Sequence, residues 1–213
     1  MFGKRMTFAF ASSAVLAMVI GASPALACKG STVLFKDDFS KVNRAWTKWS
    51  NFGLTFTIDK GKMLIKVPAN EWGFVFYNGK FFPDADLCVD VVLPNVDDVA
   101  NKWAGIGFDN GDDGTYLAAI NFEGTVVVQK SSRDGWLEPI PDTQSDAVKT
   151  GPNAVNQIRV VWKSTEPAVS FYVNDMLIDT FDVDPSRGRK IGFGLQTGGA
   201  GTVEFRNLVV TKP

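Results

Sequence analysis

The stretch that decides the fold runs from Ala154 to Val210. It reads AVNQIRVVWKS (154–164), AVSFYVNDMLIDTFD (168–182) and KIGFGLQTGGAGTVEFRNLVV (190–210). Ile158, Val160 and Trp162 alternate with polar residues, as do Val169, Phe171 and Val173, then Ile191, Phe193 and Leu195. A period of two means strands with one buried face. Asn174-Asp175 separates two apolar runs, and these residues tolerate the positive φ of a two-residue hairpin turn. The stretch is expected to form an antiparallel meander.

The same pattern extends upstream. LTFTID (54–59) and KMLIKV (62–67) alternate about Lys60-Gly61, and TYLAAINF and TVVVQKS flank Glu123-Gly124. VLFKDDF (33–39), WGFVFYN (72–78) and DADLCVDVVLP (84–94) read as further strands; the last puts Leu87, Val89 and Val91 on one face and Asp84, Asp86, Cys88 and Asp90 on the other. KWAGIGFD (102–109) has Ala104, Ile106 and Phe108 on its core face. Two segments lack a period: SKVNRAWTKWSNFG (40–53), and 137–152, whose three prolines predict the longest and most mobile loop. About a dozen strands, no helical period longer than two turns and no repeat predict one all-β domain, a two-sheet antiparallel jelly-roll sandwich over residues 28–213.

Residues 1–27 read as a signal peptide. Lys4 and Arg5 precede an apolar run too short to span a bilayer, and Ala25-Leu26-Ala27 gives a small-x-small cleavage pattern. The expectation is an exported protein, periplasmic or extracellular, with no transmembrane span after cleavage. The whole chain has 22 Lys and Arg against 23 Asp and Glu, and the leader removes two of the cations. Such a mildly acidic chain lacks the basic stripe that nucleic acid requires. The only cysteines, Cys28 and Cys88, can form one disulfide in an oxidising compartment. Two alternatives are a lipid anchor on Cys28, although Ala25 stands where a lipobox usually has Leu, and a pair of free thiols.

The last-third motifs N.IRV, YVN, IG..LQ and EFRN, with WAGIGFDNGDDGTYLAAINFEGTVVVQKSSRDGW (103–136), resemble the concanavalin-A-like, laminin-G-like jelly roll. The nearest likeness is to its bacterial 3-keto-disaccharide-hydrolase-like or laminarinase-like subgroup. The resemblance covers residues 32–211 and rests on strand and turn motifs, so it implies fold more firmly than activity. It also implies that Trp46 packs under the sandwich.

Candidate chemistry is narrow. With no histidine, serine-histidine triads, imidazole bases and histidine-containing zinc sites are excluded. Carboxylates on a jelly roll point to sugars, yet the E-x-D-x-E signature of laminarinase-like enzymes is missing. Its nearest counterpart, Asp84-x-Asp86-x-Cys88-x-Asp90, reads as a solvated polar face, so no catalytic residue is assigned. Asp109, Asp112 and Asp113 crowd one turn and form a candidate calcium site, although a plain glycine-rich turn between strands is the better explanation; no other cofactor is expected. Alternation turns Trp103, Gly105, Gly107 and Asp109 outward, with Gly192, Gly194 and Gln196, a flat surface for a sugar ring. Tyr172, Glu204 and Arg206 also face outward, and the resemblance implies that they join Trp103 and Gln196 in one site. The leading expectation is a non-catalytic module binding carbohydrate or cell-envelope glycan. The alternatives are a carboxylate-dependent glycoside or 3-keto-glycoside hydrolase and an adhesive domain with a protein partner.

Overall fold

The computed structural model describes residues 28–48, 53–92, 102–109, 114–132, 135–183 and 191–213. The expected leader, residues 1–27, lies outside the described residues, as do Asp112 and Asp113 and the side chain of Asp109. The described chain is all β, with no helix long and apolar enough to cross a membrane.

Among the described residues, fifteen strands form two antiparallel sheets. The first sheet contains β1 (Thr32–Asp37), β3 (Thr55–Asp59), β4 (Lys62–Val67), β6 (Ala85–Val92), β11 (Val155–Trp162), β12 (Ala168–Val173), β13 (Met176–Asp182) and β15 (Gly201–Lys212). Its order is β13-β12-β11-β6-β15-β4-β3, with β1 also pairing β15. The second contains β2 (Trp46–Lys48), β5 (Trp72–Phe82), β7 (Trp103–Asp109), β8 (Thr115–Asn121), β9 (Thr125–Ser132), β10 (Gly135–Gln144) and β14 (Ile191–Gly198), in the order β10-β9-β8-β7-β14-β5-β2.

The alternating residues meet between the sheets. Ile158, Val160, Phe171, Val173, Ala104, Ile106, Phe108, Phe193 and Leu195 are all fully buried in one cluster. Phe108 stacks on Tyr116 at 5.3 Å and on Trp162 at 5.8 Å between ring centroids. The buried indoles keep a polar partner, as burial demands: Trp162 Nε1 donates to Phe82 O (3.1 Å) and Trp46 Nε1 to Asp37 Oδ2 (2.9 Å). Trp46 lies inside, as the resemblance implied. Asn174 and Asp175 take φ of 49° and 68° and join β12 to β13.

Three expectations about individual elements need correction. The meander holds only through β13, because β14 belongs to the opposite sheet before β15 returns to the first. Residues 46–48 make a short strand against β5, pinned by the buried indole. The proline-rich segment expected to be a mobile loop is strand β10 as far as Gln144. Pro139 and Pro141 cannot donate to a ladder, but β10 is an edge strand and its register shifts past them.

Cys28 and Cys88 are joined, with Cα atoms 5.6 Å apart. The bonded Cys28 sulfur is therefore closed to a lipid thioether. The acidic face of β6 is not solvated as expected: Asp86 and Cys88 are buried under the residues around Cys28, and Lys29 N donates to Asp86 Oδ2 at 3.0 Å. Arg159 grips the same carboxylate through Nε (2.7 Å) and Nη2 (3.0 Å), a bidentate pair suited to a buried charge.

Candidate functional site

The outward face of the second sheet is built from the registers of β14. Gly192, Gly194, Gln196 and Gly198 stand opposite Asp109, Gly107, Gly105 and Trp103 of β7. The glycines leave no open floor, because aromatic rings from neighbouring strands occupy the space their side chains would take. A Cβ on Gly198 would lie 2.3 Å from Trp103 Cε2, and one on Gly107 2.5 Å from Phe74 Cε2. Phe74 also covers Gly194, and Phe76 covers Gly192. Gly107, Gly192, Gly194 and Gly198 are thus seats for rings, which is why Phe74 is buried on a nominally outer face, whereas Gly105 lies against Ala118 and Ala119 of β8.

Trp103 is half-buried and packs against Leu117, Ala119 and Val127, a small apolar cluster separate from the main core. Its carbonyl accepts from Thr197 Oγ1 at 2.9 Å, which ties the end of β7 to β14. Beside the indole lies a cleft of about 190 Å³, lined by Trp103, Asn121, Val127, Gln129, Glu138 and Asp142. Asn121 is oriented by accepting from Glu123 N at 2.8 Å, and Gln129 Nε2 donates to Glu138 Oε1 at 3.3 Å. β8 and β9 supply the amides and edge strand β10 the carboxylates. An aromatic face beside amides and carboxylates has the chemistry of sugar recognition. Sugar hydroxyls both donate and accept, and the ring's C–H face is apolar.

The five expected ligand residues divide between two surfaces. Trp103 and Gln196 share the face just described, with Gln196 buried. Tyr172, Glu204 and Arg206 belong to the other sheet. There Glu204 is paired with both Lys62 (3.1 Å) and Arg206, and the Arg159 guanidinium lies 4.5 Å from the Tyr172 ring centroid. Burial opposes the Arg159 charge, but hydrogen bonding and attraction to Asp86 outweigh it and raise its pKa above the usual value. These three side chains are engaged in holding the first sheet together. The neighbouring acids are engaged too: Asp84, just before β6, accepts from Ser164 N and Oγ, and Asp90 of β6 from Asn207 Nδ2.

Sequence reasoning missed Asn121, Gln129, Glu138 and Asp142. The alternation of β8 and β9 offers the two amides, once Trp103 is known to face Asn121 across the ladder. No such signal exists for the acids, because prolines and register shifts erase the period of β10.

No family model matches the sequence, and no curated protein does either. Solved structures do match. A carbohydrate-binding module from Bacillus subtilis superposes with a TM-score of 0.59 at 17% identity, covering 79% of this chain and 96% of that one. A family 16 glycoside hydrolase, an endo-glucanase from Bacteroides ovatus, gives 0.59 at 14% identity over 84% and 100%. A Bacillus subtilis protein of unknown function with a galectin-like fold gives 0.61 at 12% identity over 87% and 98%. At such identities the likeness concerns the fold, and the fold is the concanavalin-A-like two-sheet jelly roll.

Proposed function

We propose that this chain is an exported carbohydrate-binding module that takes a glycan on the outer face of its second sheet. The observation that carries the reading is the half-buried Trp103 ring, seated on Gly198 beside a cleft of amides and carboxylates. The carbohydrate-binding module among its structural neighbours supports the reading, and the disulfide accords with export. A glycan array probed with residues 28–213 tests it. Binding is expected, and Trp103→Ala should weaken it at least about tenfold, the scale of losing a buried aromatic anchor. Gly198→Ala is the sharper probe, since its methyl collides with the indole and should tilt the ring without removing it. Binding that survives both variants unchanged would place the sugar elsewhere.

A second reading, a glycoside hydrolase, is favoured by one observation: two carboxylates, Glu138 and Asp142, line the same cleft. Release of new reducing ends from bound oligosaccharides, lost in Glu138→Gln or Asp142→Asn, would establish it. An array without any binding would favour the third possibility, an adhesive domain with a protein partner.

A further inference from the structure

The cleft beside Trp103 is electrostatically one-sided. Two of its six lining residues are acidic and none is basic. On the first sheet two acids are matched by cations, Asp86 by Arg159 and Glu204 by Lys62 and Arg206. Glu138 and Asp142 are in no ion pair among the described residues; Glu138 has only the neutral amide of Gln129. Lys130, next to Gln129 in sequence, sets its ammonium 5.2 Å from the Tyr116 ring centroid. A cleft that joins unneutralised carboxylates to an indole face is suited to a cation carried on an apolar ring, because both the charges and the π-face attract it.

We infer that the cleft selects glycans bearing free, protonated amino groups, that is, de-N-acetylated amino sugars, over neutral, acetylated or acidic ones. The inference rests on the reading of this face as the glycan site and adds the chemical class of the ligand. Trp103 takes the C–H face of the sugar, Asn121 and Gln129 its hydroxyls, and Glu138 and Asp142 its ammonium. Uronates and sulfated sugars are repelled by the same two charges.

Three tetrasaccharides with one β-1,4-linked backbone isolate the charge: cellotetraose and its 2-amino and 2-acetamido counterparts. Calorimetric titration of residues 28–213 in mildly acidic, low-salt buffer should show the 2-amino compound binding roughly tenfold more tightly than cellotetraose, the scale of two exposed ion pairs. The advantage should shrink as salt is added and vanish in a Glu138→Gln, Asp142→Asn double variant. Equal affinities for the amino and neutral compounds, or a preference that survives the double variant, would overturn the selectivity. In that event loss of cellotetraose binding in Trp103→Ala would leave the glycan face standing. No binding of any of the three also overturns the selectivity, while the array and Trp103→Ala decide the face independently.

Discussion

At the scale of single residues, packing in this protein turns on rings and what lies beneath them. Alternation assigns Trp103 and Gln196 to the outward face, and that much was legible in the sequence. It does not say that Phe74, from a strand far away in the chain, fills the space above Gly107 and Gly194. A glycine-rich face was therefore expected to be bare and is instead paved with aromatic side chains. Tyr77 shows the same burial acting on a titratable group. It packs against Phe35 and Phe193, and desolvation raises its pKa above the ordinary 10.0, aided by Asp37 and opposed by a hydrogen bond with Asn43. The unfolded chain then loses this proton before the folded one. Stability is complete below the ordinary tyrosine value and falls as pH rises from there through the folded-state value. Urea midpoints measured across that alkaline range should drop for the wild type and drop less for Tyr77→Phe. Identical slopes would mean that Tyr77 titrates freely.

At the scale of elements, β6 and β11 are coupled by more than their ladder. Asp86 and Arg159 project from neighbouring strands onto the covered outer face of the first sheet, where Asp86 is only 1% exposed. Arg159→Met keeps the length of the side chain but leaves a buried carboxylate without its cation, and should cost about 3–5 kcal/mol. Urea denaturation measures this; a loss below about 1 kcal/mol would put the pair in the class of surface salt bridges. Legibility differs sharply between elements. β11 and β12 were readable because each has one face in the core and one toward polar surroundings. β6 was readable as a strand but not in its environment, since residues distant in sequence cover its acidic side. β10 was read as a loop because its prolines break the pattern, and only its place at the sheet edge makes them tolerable. With β10 went the two carboxylates of the cleft.

At the scale of the molecule, the two-sheet sandwich followed from turn spacing and alternation, whereas the candidate site did not. The site needs the order β10-β9-β8-β7, which brings residues from four strands together and which no local pattern encodes. The expected cluster failed for the same reason: Tyr172, Glu204 and Arg206 face outward as read, but from the opposite sheet. The disulfide also acts at this scale. It closes a loop of 60 residues, and opening it should cost about 4 kcal/mol in the chain-entropy account. Urea midpoints with and without reductant, and in Cys88→Ala, should both shift downward; unchanged midpoints would make the bond incidental to stability. The bond also bears on the order of events in time. Cys88 sits on β6, whose two ladder partners, β11 and β15, are made long after it. When the ribosome has produced both cysteines, the strand that must hold one of them in place has no neighbour on either side. Oxidation at that moment would join two ends of a floppy chain, and the central strand is flanked on both sides only once β15 has been synthesised. Such long-range closure makes for slow folding, so the chain stays open well after both cysteines exist, until its sandwich shuts.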